Sequence, residues 1–164
     1  VVRSRGLGDV YKRQGSITIN ASSDDAMSSL DSFNIVGVLV TITHEDTETV
    51  NGPLCAVAEP PQDDTVDATI SHADLSAGEA DTNSFDFQLN WHNSSLVNTN
   101  VSNMTKADIE SMLDGGGIGF GMHDLVIGVT VQNGGGLGCN SNDDGQDVSY
   151  TIELVSLDYS VNPV

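Results

Sequence analysis

The sequence predicts an all-β protein: an antiparallel β-sandwich of jelly-roll or Ig-like type, with about seven strands and one short helix. Three observations carry that expectation. Apolar and polar residues alternate with period two in segment after segment, turn residues punctuate those segments, and no strand–helix alternation of the doubly wound kind appears.

The elements follow in order. "SITIN" (16–20) reads as a short strand. "NIVGVLVTIT" (34–43) places Val36, Val38, Val40 and Ile42 on one face, while Ile35 and Leu39 partly cover the other. "LCAVA" (54–58) and "VDATISH" (66–72) are weaker strands. "SFDFQLNWH" (84–92) is the clearest, with Phe85, Phe87, Leu89 and Trp91 on one face and Asp86, Gln88, Asn90 and His92 on the other. A strand of that kind is buried on one side and wet on the other, so Trp91 is expected in the core. "NMTKADIESMLDGG" (103–116) is the helix, with Thr105 as N-cap, Asp108 in the first turn, an Ile109/Met112/Leu113 stripe and Gly115 to close it. "DLVIGVTVQ" (124–132) aligns Leu125, Ile127, Val129 and Val131. "DVSYTIELVSLDY" (147–159) uses Val148, Tyr150, Ile152 and Leu154, then changes phase to Val155, Leu157 and Tyr159. A phase change within a strand predicts a β-bulge or a crossing between sheets.

Charge is distributed unevenly. Four of the five basic residues (Arg3, Arg5, Lys12, Arg13) fall in the first fourteen positions. The segment "SRGLGDVYKRQ" (4–14) resembles, codon for codon, the translation of a sequencing-library adapter and transposon end. Residues 1–14 are therefore expected to be a non-native, adapter-derived segment, extended and burying little. Residues 15–164 are expected to form a single domain, read from a fragment of a larger, environmentally sequenced protein.

Setting aside those fourteen residues, with four of the five basic and one of the 24 acidic side chains, leaves a formal charge of −22. So acidic a chain repels nucleic acid, which excludes that class of partner. Its self-repulsion is tolerable in seawater-like salt, where the screening length is roughly 4–5 Å, between the values at 0.1 M and 1 M. The composition points to halophilic adaptation and a secreted or cell-surface location. No apolar run is long enough for a transmembrane segment. Four N-x-S/T sequons (Asn20, Asn93, Asn100, Asn103) fit the same compartment.

Cys55 and Cys139 are the only cysteines, and one disulfide suits them better than a metal site needing four ligands. Closing that loop would stabilise by about 4–5 kcal/mol on the chain-entropy account. In "CNSNDDGQD" (139–147), Asn140, Asn142, Asp144 and Gly145 match positions one, three, five and six of a calcium loop. Thr151 stands where the bidentate glutamate belongs, so calcium is at most a weak ligand and no other cofactor is expected.

Other chemistry finds little footing. "GGGIGFGMHD" (115–124) lacks the G-x-G-x-x-G spacing of a phosphate cradle. "HEDTE" (44–48) has no second histidine for a zinc helix, and "DDTVD" (63–67) reads, like it, as a solvated loop. The four histidines look scattered, and there is no G-x-S-x-G elbow.

From "FNIVGVLVTITHEDTETVNGP" to "DDGQDVSYTIELVSLDY", the layout resembles uncharacterised acidic extracellular β-sandwich modules of secreted proteins of marine microbes, archaea in particular. More loosely it resembles the jelly-roll accessory domains of secreted peptidases. Those modules carry no catalytic residues, so the resemblance implies an accessory, adhesion or display role with a surface glycan or protein as partner. Two alternatives stand behind it. A carbohydrate-binding module would show exposed coplanar rings near Trp91 or Tyr150, and a small secreted hydrolase would converge two carboxylates in a cleft.

Added sodium chloride is expected to raise the melting temperature by screening the surface charge. Calcium held at Asn140, Asn142 and Asp144 would add stability beyond magnesium or ionic-strength-matched sodium, and Asp144→Ala would abolish that excess. Equal melting temperatures in all three salts leave screening alone.

Overall fold

A computed structural model describes residues 3–10, 15–21, 34–45, 49–53, 63–131, 140–142 and 146–162, with side chains for 34–45, 52–53, 63–131 and 147–162. Its strands are β1 (Arg3–Val10), β2 (Gly15–Ala21), β3 (Ile35–Glu45), β4 (Thr49–Asn51) and β5 (Thr65–His72). They continue as β6 (Leu75–Asp81), β7 (Phe85–Asn90), β8 (Gly121–Thr130), β9 (Asn140–Asn142) and β10 (Gln146–Ser156), with one helix, α1 (Lys106–Leu113).

Eight of these strands form two four-stranded sheets, ordered β1-β10-β3-β7 and β2-β8-β5-β6, and every pairing is antiparallel. The pairs nest: β5 with β6, β3 with β7 outside it, β2 with β8, and β1 with β10 outermost. A long folded hairpin rolled so that its strands alternate between two sheets is the jelly roll, and this order selects it over the Ig-like alternative. Short β4 and β9 pair separately, carrying the β3–β10 ladder past Glu45 and Asp147.

The core lies between the sheets. Val38, Val40 and Ile42 of β3 meet Val66, Ala68 and Ile70 of β5, with Phe87, Leu89, Leu125, Ile127, Val148 and Ile152 completing the cluster. The inward faces expected for β3, β7, β8 and the first part of β10 are the observed ones. The phase change in β10 is a register shift: Val155 pairs with Gly37 and Ser156 with Ile35, passing over Val36. Beyond it, Leu157 donates its backbone N–H to Asn34 O (2.9 Å), and the chain leaves the sheet.

Three differences from expectation have physical causes. β6 carries only Leu75 and Ala77 toward the core, too weak an alternation to read, and is placed by the tight turn at Ala73 (φ 51°). "LCAVA" lies outside the described residues, as do Cys55 and Cys139. The helix has its Thr105/Asp108 capping box and buries Leu113, but Met112 is 43% exposed and belongs to no buried stripe. Gly115 does not close the helix in a left-handed conformation. Asp114 ends it in extended backbone, and Gly115 is needed because a Cβ there would collide with Ile35 O.

Arg3–Val10 lies along the outer edge of β10, from Arg3 opposite Glu153 to Val10 opposite Gln146. A free strand edge accepts any extended backbone, whatever its side chains, which is how a segment with no expected packing role takes this place.

Asn34 binds three elements together. Its Nδ2 donates to Leu113 O (2.8 Å) and Leu157 O (3.2 Å), and its Oδ1 accepts from Gly115 N (2.6 Å). One amide thus joins the last turn of α1, the glycine loop and the exit of β10. Asn34→Ala is expected to cost about 2–4 kcal/mol in chemical denaturation, from lost hydrogen bonds and partly buried groups left unsatisfied. Asn34→Asp should cost more at neutral pH, because it turns a carboxylate toward two carbonyls, and should recover partly on acidification. A variant as stable as wild type would show that the junction is held by other contacts.

Candidate functional site

The end of the sandwich that carries α1 gathers the unusual chemistry. His72 closes the inward row Val66, Ala68, Ile70 of β5, and His123 opens the inward row Leu125, Ile127 of β8. The β5–β8 register (Ile70 opposite Leu125, Ser71 opposite Asp124) brings the two histidines side by side at the next step. Their rings stack 3.9 Å apart at 11°, with His72 6% and His123 1% exposed. The Trp91 ring lies 5.7 Å from His72 and 6.4 Å from His123, and its Nε1 donates to Ile35 O at 2.8 Å.

The rings hold the glycine loop. His72 Nδ1 faces Met122 O at 2.7 Å and its Nε2 faces Ile118 O, while His123 Nε2 donates to Gly119 O at 3.1 Å. His123 donates through Nε2, and its buried Nδ1 has no hydrogen-bond partner among the described residues. Burial holds the His123 imidazole below the ordinary histidine value. The bond to Gly119 O opposes that shift, His72 adds to it less strongly, and Asp124 opposes it most weakly. Gly119 packs so close to Ile35 and Trp91 that a Cβ would strike both side chains.

Beside this clasp runs a groove of about 340 Å³. One wall is the 96–101 connection, the other the 157–162 tail, and α1 contributes Ile109 and the buried Leu113. Local hydrogen bonds fix the first wall. Asn93 Oδ1 accepts from Ser95 N (3.2 Å) and Ser95 Oγ (2.6 Å), Asn93 N donates to Met112 O (3.0 Å), and Thr99 Oγ1 donates to Leu96 O (3.0 Å). Asn98 takes a left-handed conformation (φ 56°), which asparagine tolerates better than most residues. The second wall is tied to the helix by Tyr159, whose hydroxyl donates to Glu110 O at 3.3 Å. Desolvation first, then the charges of Asp114 and Glu110, push its ionisation above the ordinary tyrosine value.

The remaining expected residues are dispersed. The backbone of Asn140 and Asn142 lies in β9, while their side chains and all of Asp144 fall outside the described residues. Asp64 of "DDTVD" and His44 of "HEDTE" are buried, so neither stretch is simply a solvated loop; His44 closes the inward row of β3 at the other end of the sandwich. Trp91 and Tyr150 pack against the core and present no exposed platform of coplanar rings. Asp158 is the one carboxylate lining the groove. Among the described residues no three His, Cys, Asp or Glu side chains converge as a metal cage would need, and no helix is long and apolar enough to cross a membrane. The sequon residues Asn93, Asn100 and Asn103 are all exposed on the connection between β7 and α1.

The histidine pair and the groove both went unread in the sequence. The signal for the pair was present: each histidine continues an apolar period-two row at its strand's end. The groove left no such signal, being assembled from a connection, a helix and a tail. No protein-family model matches the chain, and no curated protein matches it in sequence.

His123 makes stability depend on pH in a defined direction. Its fold-lowered affinity for a proton means that the stabilisation is complete above about 6.5, the unfolded value. It is lost as pH falls below that value, because the unfolded chain takes up a proton that the fold refuses. Between pH 7.5 and 5.5, wild type should therefore lose more denaturation free energy than His123→Phe. Equal losses would show that His123 does not set the acid limb.

Proposed function

We propose that this domain is a non-catalytic module of a secreted or cell-surface protein, acting by binding in an accessory, adhesion or display role. The observation that carries the reading is the groove beside α1. Its polar lining is amide and hydroxyl, with Asp158 as its single carboxylate and no histidine or cysteine. Hydrolysis of a glycoside or peptide calls for a paired acid and base, a nucleophile with its base, or a metal. A groove of this composition supplies recognition instead. The acidic composition, the exposed sequons and the resemblance to acidic extracellular modules support the compartment.

The test is turnover. Purified protein in seawater-like salt should release no product above background from chromogenic glycosides, esters or casein between pH 5 and 8. Turnover that persists through purification and is lost in Asp158→Asn would overturn the reading.

A further inference from the structure

We infer that the groove between the 96–101 connection and the 157–162 tail is a binding site for a neutral saccharide, with Tyr159 as its stacking ring and Asn98 and Asn162 as its hydrogen-bonding amides. The inference rests on the reading of the domain as a binding module and names what it binds.

The lining decides the ligand class. Ile109, Leu157 and Val161 offer an apolar surface of the kind that receives the C–H face of a sugar ring, and Tyr159 adds the groove's single aromatic ring. Around them stand amides, which donate and accept, and the hydroxyls of Thr99 and Ser160. A ligand dense in hydroxyl groups matches that set, because each of its hydroxyls can meet either kind of partner. Fully apolar ligands would leave the amides unpaired on one side.

Charge narrows the class further. No Lys or Arg lines the groove, Asp158 does, and Glu110 and Asp114 act on Tyr159 from α1. Uronates, sulfated glycans and phosphorylated ligands would enter against this field and against the charge of the whole chain. The site is built in advance of the ligand: the capped turn at Asn93, the Thr99 bond and the Tyr159–Glu110 bond hold both walls against one helix. Preorganised walls reduce the ordering cost of binding. Its volume of about 340 Å³ falls within the range of small-ligand sites.

The experiment is calorimetric titration in seawater-like salt. Protein from a host without N-glycosylation keeps Asn100 bare. The probes are xylo-, cello-, manno- and chito-oligosaccharides, with alginate oligosaccharides as the anionic arm. At least one neutral series should bind. Tyr159→Ala should weaken it about tenfold or more, whereas Tyr159→Phe, which keeps the ring, should stay within about threefold. Asn98→Gly, which removes the amide and keeps the left-handed backbone of this exposed position, should weaken binding while far-UV circular dichroism shows the fold intact, which keeps the test valid if Tyr159→Ala unfolds. The inference is overturned if no neutral oligosaccharide binds, if alginate binds more tightly, or if Asn98→Gly and a folded Tyr159 variant bind as wild type does. Hydrolysis of a bound sugar would overturn the non-catalytic reading and leave the site where it is.

Discussion

β3 is the strand against which the rest of the molecule is registered. It lies between β10 and β7, so both edges are paired, and its inward residues Val36, Val38, Val40 and Ile42 are almost wholly buried. A one-residue slip would send that whole row to solvent and bring Leu39, Thr41 and Thr43 inward. At roughly 1.5–3 kcal/mol for each buried aliphatic side chain, such a slip is prohibitive. The pairing therefore has one register, and the strands beside it inherit theirs. The skip over Val36 at the end of the ladder is where this constraint is released. From there Asn34 takes over, exchanging strand pairing for side-chain bonds to the helix and the departing tail.

The two ends of the sandwich then differ in kind. At the end bearing α1, polar side chains make the connections that regular pairing cannot. Trp91 reaches Ile35 O, Asn34 reaches Leu113 O, and two histidine rings face the carbonyls of Ile118, Gly119 and Met122. Loop backbone buried at a sandwich end must find partners or carry a desolvation cost. Asparagine, tryptophan and histidine supply those partners while filling space as apolar residues do. The groove is a consequence of the same end structure, since the helix that covers the core also leaves a trough between the connection before it and the tail after β10.

What the sequence disclosed followed the strength of its periodicity. β3, β7, β8 and β10 were readable because a half-buried strand demands a long alternating row and a helix does not produce one. The bulge was readable because the row changed phase at Val155. β6 was not, because an edge strand with charges at Glu79 and Asp81 needs little apolar content to pair. Its turn also uses Ala73 where glycine or asparagine would have announced it. Met112 misled because its i+3 spacing from Ile109 is helical whether or not a neighbour covers it. His72 and His123 are legible only as the last members of apolar rows, and taken as a class of their own the histidines look scattered. The groove depends on how three distant segments meet, and no local pattern encodes that meeting.

The nesting of strand pairs has a further consequence, in time. Among the described strands only β5 and β6 are near neighbours in the chain that pair across a tight turn; β3 must wait for β7 on one edge and, far later, for β10 on the other. A topology so rich in distant contacts folds slowly for its size. During synthesis the apolar row of β3 leaves the ribosome more than a hundred residues before Val148 and Ile152 exist to help cover it. Until then one edge of β3 stays open to aggregation, and the dense negative charge along the nascent chain opposes its pairing with another copy.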